Sequence, residues 1–195
     1  MWQHILETLQ QQVDASGALD WDKHYIDSTI VRAHQHAAGA KGGDPEAEAL
    51  GRSQGGSGTK VHLRAEGSGK PVTFAVITGQ RHEAVAFERL MEQGAVKRSG
   101  QGQPKLRPVQ VVGDKGYCSR KIWWYLRRRG IRMTIPGKAS EGRKGQFDSQ
   151  VYRGRNRVER LINRLKQFRR VATRYEKRTA TYLAMLTIAA ILLWL

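Results

Sequence analysis

The spacing of apolar and polar positions changes repeatedly along the chain, and each change predicts an element. Residues 3–13 carry a polar amphipathic helix pattern that ends before the turn-like Asp14-Ala15-Ser16-Gly17. From His24 to Val31 the run HYIDSTIV is short and rich in β-branched residues, which predicts a strand with Asp27 inside it. Residues 38–58 gather glycine, serine and charge, and are expected to form a long mobile loop. Such loops are unusual in compact domains, so this one is a candidate functional segment.

Two strands should follow. Lys60 to Glu66 alternates Val61, Leu63 and Ala65 with polar neighbours, Val72 to Thr78 is more continuously apolar, and the Gly67–Pro71 link makes the two a hairpin. Glu83 to Met91 has a helical pattern, and a glycine-rich basic loop then leads to a short buried strand, Val109 to Gly113, that ends in Asp114. Ser119 should cap a helix through Arg129 closed by Gly130, and Ile131 to Ile135 is a further short strand stopped by Pro136-Gly137. After a polar loop at 137–150, one long helix is expected from about Tyr152 to Phe168 and a last one over roughly 178–195. There is no internal repeat. The fold class is therefore α/β, with a mixed five-stranded sheet flanked by helices and a parallel strand–helix–strand crossover.

Charge narrows the function. The 195 residues hold 34 Lys and Arg against 17 Asp and Glu, a net +17, so a polyanion is the expected partner. The single cysteine, Cys118, excludes a disulfide framework and a cysteine-rich zinc site, so a bound metal would be held by oxygen or imidazole. The N-terminal residues lack the regions of a signal peptide, and the apolar stretch Tyr182–Leu195 is 14 residues, short of the roughly 20 a membrane span needs. A cytoplasmic, nucleoid-associated protein with a buried C-terminal helix and no membrane partner is expected.

Three carboxylates fall at telling places: Asp27 in the first strand, Asp114 where a later strand ends, and Glu159 on the long helix. Magnesium prefers hard oxygen ligands, and two ions about 4 Å apart can serve both oxygens of a phosphoryl transfer. At about 100° per residue, Tyr152, Arg155, Glu159 and Lys166 fall within an arc of about 60°. Val158, Leu161, Leu165 and Phe168 form an apolar face, and Arg153, Arg157, Arg160 and Arg164 a basic one. A helix of this kind can dock on a core and present a carboxylate to a nucleic-acid backbone. The plain alternative is an exposed helix in which Glu159 only pairs with its basic neighbours. Arg127 to Arg129, Arg169-Arg170 and Arg174 to Arg178 would line a DNA track, giving steeply salt-dependent binding. Trp123, Trp124 and Tyr125 interleave with arginines on one helix, where base stacking competes with a role in the core. His34, His36 and Cys118 are read as loop residues and a small thiol, not metal ligands.

The pattern Y-x2-R-x3-E-x6-K, met by Tyr152, Arg155, Glu159 and Lys166, resembles the signature of the DDE transposases of bacterial insertion sequences. The segments YIDSTIVRAHQHAAGA, VVGDKGYCSRK and YRGRNRVERLINRLKQFRRVATRYEK are similar to the insertion-sequence-five family in particular, over about residues 24–195. The resemblance implies a ribonuclease-H-like core in which Asp27, Asp114 and Glu159 hold two Mg²⁺ ions, with Mn²⁺ as a substitute. It further implies that Tyr152, Arg155 and Lys166, with the basic Arg160 and Arg164, contact DNA. The implied activity is metal-dependent cleavage at the ends of an element and transfer of the freed 3′-hydroxyl to target DNA, by a homodimer on double-stranded DNA. Residues 23–195 would be this catalytic domain and 1–22 the tail of an N-terminal DNA-binding part, the chain being the second reading frame of a two-frame element, a truncated gene or a catalytic module made by frameshifting. Two rivals are a DNA-binding module or inactive remnant, and a stand-alone nuclease of the same fold.

Overall fold

A computed structural model of the chain describes residues 1–37, 47–53, 56–79, 85–137 and 147–195. Five strands build its sheet: β1 (Lys23–Ala33), β3 (Gly56–Ala65), β4 (Pro71–Thr78), β5 (Gln110–Gly113) and β6 (Arg132–Thr134). They lie in the order β4-β3-β1-β5-β6, with β1, β3 and β4 antiparallel and β5 and β6 parallel to β1. The expected strands, hairpin and parallel crossover are all present, and the order is that of a ribonuclease-H-like fold. Two short strands enlarge the sheet to seven among the described residues. β2 (Gly51–Ser53) pairs with the start of β3, and β7 (Thr173–Arg174) pairs with the end of β1.

Strand alternation sends neighbouring residues of β1 to opposite faces. Tyr25 and Val31 join Leu63, Val76 and Val112 in one core, whereas Ile26 joins Ala75, Val111, Phe87 and Ile122 in the other. The first core is roofed by α1 (Trp2–Ala15), α5 (Asn156–Leu165) and α7 (Thr179–Trp194), the second by α2 (Phe87–Glu92) and α3 (Arg120–Arg128). α1 is tied in by buried Leu6 and by Gln10, whose amide donates to the carbonyls of Pro71 and Val72. The Trp194 indole N–H also donates to the Pro71 carbonyl, so helices from both ends of the chain cover one end of β4. No described helix is long and apolar enough to cross a membrane.

Three expectations need correction. The segment expected as one loop over 38–58 includes β2 and the start of β3, because its glycines and serines pair across a ladder; residues 38–46 and 54–55 lie outside the described residues. The long helix is broken into α4 (Ser149–Arg153), α5 and α6 (Arg169–Ala172). Arg174, expected on a DNA-facing run, is fully buried, donating to the carbonyls of Glu176 and Lys177 and to Thr59 Oγ1. Of the helix expected from Glu83 to Met91, the part from Phe87 is α2, Val85 and Ala86 are not α-helical, and residues 80–84 lie outside the described set.

The second core also encloses a charge. Arg64 is completely buried, donating from Nε to His24 Nδ1 at 2.8 Å and from its two terminal nitrogens to the carbonyls of Met91 and Leu106. Burial lowers the Arg64 pKa to about 9. Burial, reinforced by the adjacent Arg64, holds His24 well below the ordinary histidine value of 6.5, so this ring is neutral in the fold. Stability carried by a neutral histidine is complete above its unfolded pKa and drains as pH falls below it. The loss approaches about 1.4 kcal/mol per pH unit for this one group. Melting temperatures at about pH 7.5 and about pH 5.5 should therefore differ more for the native chain than for His24→Gln; equal drops would remove the explanation.

Candidate active site

The parallel register of β1 and β5 sets Ile26 beside Gly113, which brings the next residues, Asp27 and Asp114, side by side. Gly113 is required there, since a Cβ would stand 2.9 Å from Ile26 Cγ1. β5 stops at this point while β1 runs on, and β7 joins the same edge only at Arg32. Between them the edge of β1 has no strand neighbour among the described residues, leaving a notch flanked by α4 and α5. Asp114 Oδ1 accepts the Gly116 amide at 3.0 Å and thereby starts a short turn, so its carboxylate is fixed just beyond the strand.

Asp27 is buried, with Oδ1 accepting the Ser28 amide at 2.9 Å. Burial pushes its carboxyl above the usual carboxylate range and the charge of Asp114 adds to the push, while Arg155 and the Ser28 amide pull the other way. Arg155 is the hinge of the site. One terminal nitrogen donates to Asp27 Oδ2 at 2.9 Å and the other to Glu159 Oε1 at 2.7 Å. Burial works against the guanidinium charge, but Asp27, Tyr152, Glu159 and Asp114 together raise the Arg155 pKa above its ordinary value. Two of the three predicted carboxylates thus share one cation, with Asp114 acting on it only through its charge, and Glu159 keeps 48% of its side chain exposed against 8% for Asp27. Among the described residues no three His, Cys, Asp or Glu side chains stand close enough together to form a ready metal cage.

The break between α4 and α5 is what delivers Arg155. Around Gly154 the backbone tightens to three-residue bonds, from Gly154 N to Val151 O, Arg155 N to Tyr152 O and Arg157 N to Gly154 O. Gly154 packs so closely that a Cβ would meet the Tyr25 hydroxyl at 2.5 Å. A glycine inside a helical pattern was the available sign of such close approach. Tyr152, on the far side of the break, is half-buried between Phe147 and Arg155, with ring centres 5.1 Å apart and the guanidinium 6.0 Å from its ring.

Val158, Leu161 and Leu165 are buried as expected, joined by Ile162, while Phe168 is half-buried. Lys166, Arg160 and Arg164 are exposed. Lys166 lines a narrow cleft with Thr29 and Val31, on the strand that carries Asp27. Arg157, exposed on the basic face as expected, also donates to the Gly67 carbonyl at 2.8 Å and the Tyr25 hydroxyl at 3.2 Å. Ser119 caps α3 through the Ile122 amide, Cys118 is buried, and His34 stacks on Tyr175.

A piggyBac transposase synaptic complex with hairpin DNA superposes with a TM-score of 0.47 and 11% identity, over 88% of this chain and 46% of that one. A Burkholderia cepacia protein named as a transposase for insertion sequence element IS402 is 30% identical over 137 residues, 70% of this chain and 62% of its own length. A Brucella ovis protein named as a transposase for insertion sequence element IS6501 is 33% identical over 139 residues, 70% of this chain and 98% of its own. The family model described as "Transposase DDE domain" matches residues 25–194, which include all three carboxylates and Arg155. The chain belongs to the DDE transposases of bacterial insertion sequences.

Proposed function

We propose that this chain is a transposase catalytic core that cuts DNA strands at the ends of an insertion sequence and joins the freed 3′-hydroxyl to target DNA with the help of divalent metal. The register that seats Asp27 beside Asp114, opposite Glu159 on α5, is the observation that carries this reading. The donor set suits Mg²⁺ or Mn²⁺, since all three groups are hard carboxylate oxygens. Burial and Asp114 both disfavour the ionised Asp27, a burden that a bound dication would relieve. Asp27, Asp114 and Glu159 would hold two such ions, which supply the Lewis acidity of phosphoryl transfer when bound. Glu159 joins them by releasing Arg155, and its exposed position at the rim leaves it room to do so.

The residues around the carboxylates have their own tasks. Arg155, once free of Glu159, offers one charged terminal nitrogen to a phosphate while the other stays on Asp27. Lys166, Arg160 and Arg164 give the exposed side of α5 and its end the positive charge that a DNA backbone needs. The partner is double-stranded DNA, as element end and as target, on which two copies assemble.

The Arg155 bridge also suits an inactive remnant that keeps DNA binding alone. Nicking of supercoiled plasmid with Mg²⁺ or Mn²⁺ separates the readings. The native chain should nick, and Glu159→Gln should bind DNA equally and not nick. Binding without nicking by either protein would favour the remnant, and nicking without joining of a precut 3′-hydroxyl end would favour a nuclease.

A further inference from the structure

α3 leaves the site at Ser119 and carries two indoles to the outer edge of the sheet. Its inner side is filled by Ile122, Tyr125 and Leu126, all buried, so the second core is complete without the tryptophans. Trp124 is 56% exposed. Trp123 stands 4.8 Å from it at an interplanar angle of 79°, and Arg127 lies 4.9 Å over the Trp123 ring. Trp123 is thus covered and braces its neighbour edge-on, while Trp124 keeps open aromatic surface. Beside Trp123, between the end of α3 and β6, runs a groove of about 350 Å³ lined by Trp123, Leu126, Arg127, Ile131, Arg132 and Met133, with Trp124 next to it on the helix. β6 is the last strand of the sheet on this side among the described residues.

The charges decide what this surface takes. Residues 120–134 contain six Arg or Lys and no Asp or Glu. Lys121 and Arg129 are engaged by Glu88 and Glu92 of α2, and Arg129 also covers the Tyr125 ring at 3.6 Å. Arg120, Arg127, Arg128 and Arg132 are exposed and pair with no described carboxylate. A second copy of this face would bring like charges together, whereas a phosphate backbone complements them. Duplex DNA satisfies arginines, but its base faces are already stacked and give an indole nothing to cover. An aromatic face framed by arginines suits a strand whose bases are free.

We propose that the Trp123–Trp124 pair and the groove between α3 and β6 form a stacking site for an unpaired nucleobase of a DNA strand. It is built on α3 and β6, which carry none of the three carboxylates. The proposal rests on the DNA-acting reading above but needs neither metal nor cleavage, so the two can fail separately.

Binding of the full chain to a thymidine dodecamer, an abasic dodecamer and a duplex of equal length, at one fixed salt concentration, tests it. The native chain should bind the thymidine strand about tenfold more tightly than the abasic strand, with quenching of tryptophan fluorescence. Trp124→Ala should erase that difference and leave duplex affinity within about twofold, and Trp124→Tyr should restore most of it. Equal affinity of the native chain for thymidine and abasic strands, with duplex binding intact, would overturn the stacking site and leave the proposed function standing. A parallel loss on duplex in Trp124→Ala would also overturn it, because the indole would then serve the fold. Failure to bind any of the three would overturn the DNA-acting reading itself.

Discussion

Asp27→Asn should abolish metal-dependent nicking and at the same time raise the melting temperature of the chain. Both effects come from the same carboxylate. Burial pushes the Asp27 carboxyl up, Asp114 pushes it further, and the offsets from Arg155 and the Ser28 amide do not cancel them. A carboxyl raised in the folded state favours its neutral form there, so its contribution to stability is present at low pH and lost as pH rises through the raised value. Near neutral pH the ionised group therefore costs stability, and an isosteric amide removes that cost while its oxygen still accepts the Ser28 amide, although its NH2 gives up the bond from Arg155 and offsets part of the gain. The stability advantage of the variant should shrink as pH falls toward the ordinary aspartate range. On the catalytic side, losing a ligand forfeits several kcal/mol of charge stabilisation, and about 4 kcal/mol corresponds to about a thousandfold in rate. Plasmid nicking and thermal melts on the same preparations check both halves. A variant that nicks within tenfold of the native chain, or melts lower, would contradict the role given to Asp27.

The elements were legible where one residue type dominates a local decision. The β-branched run around Asp27, the apolar run before Asp114 and Ser119 as a cap all lead directly to β1, β5 and α3. Asp27, Asp114, Arg155 and Glu159 were singled out from the resemblance of their motifs, and the structure sets Asp114 beside Asp27 and links Arg155 to Asp27 and Glu159. Other features depend on partners distant in sequence. The tightened turn at Gly154 exists because Tyr25 packs against it, so helical periodicity alone extends one helix through the break. Arg174 looked like surface charge, yet it is buried and the carbonyls of Glu176 and Lys177 accept from it; Arg157 is exposed but also ties down the Gly67 carbonyl. Composition cannot tell an arginine that faces a phosphate from one that ties two loops together. β2 and β7 escaped for a similar reason: three and two residues are too few to show alternation, and only the neighbouring strand makes them strands.

The largest stability effect should come from a residue far from the chemistry. Arg64→Met should cost about 3 kcal/mol, which for a chain of this size lowers the melting temperature by about 10 °C. Burying an arginine without a carboxylate is expensive, and its removal could by itself be a gain. Against that gain stand three acceptors, His24 Nδ1 and the carbonyls of Met91 and Leu106, that Arg64 ties together across β1, α2 and the loop before β5. Methionine fills the volume without offering a donor, and each buried acceptor left alone costs about 1–3 kcal/mol. The acceptors outnumber the charge, so the loss prevails. Gly94→Ala approaches the same network from outside, since its Cβ would stand 2.7 Å from Arg64 Nη1. It should be destabilising by about 1–3 kcal/mol through displacement of the fork. Nicking well below the melting point should survive in Gly94→Ala, because the register of β1 on β5 that seats Asp27 beside Asp114 is a backbone ladder that this substitution does not touch. A melting point unchanged in both variants would mean that water satisfies these acceptors as well as Arg64 does, and that the buried charge holds nothing in place.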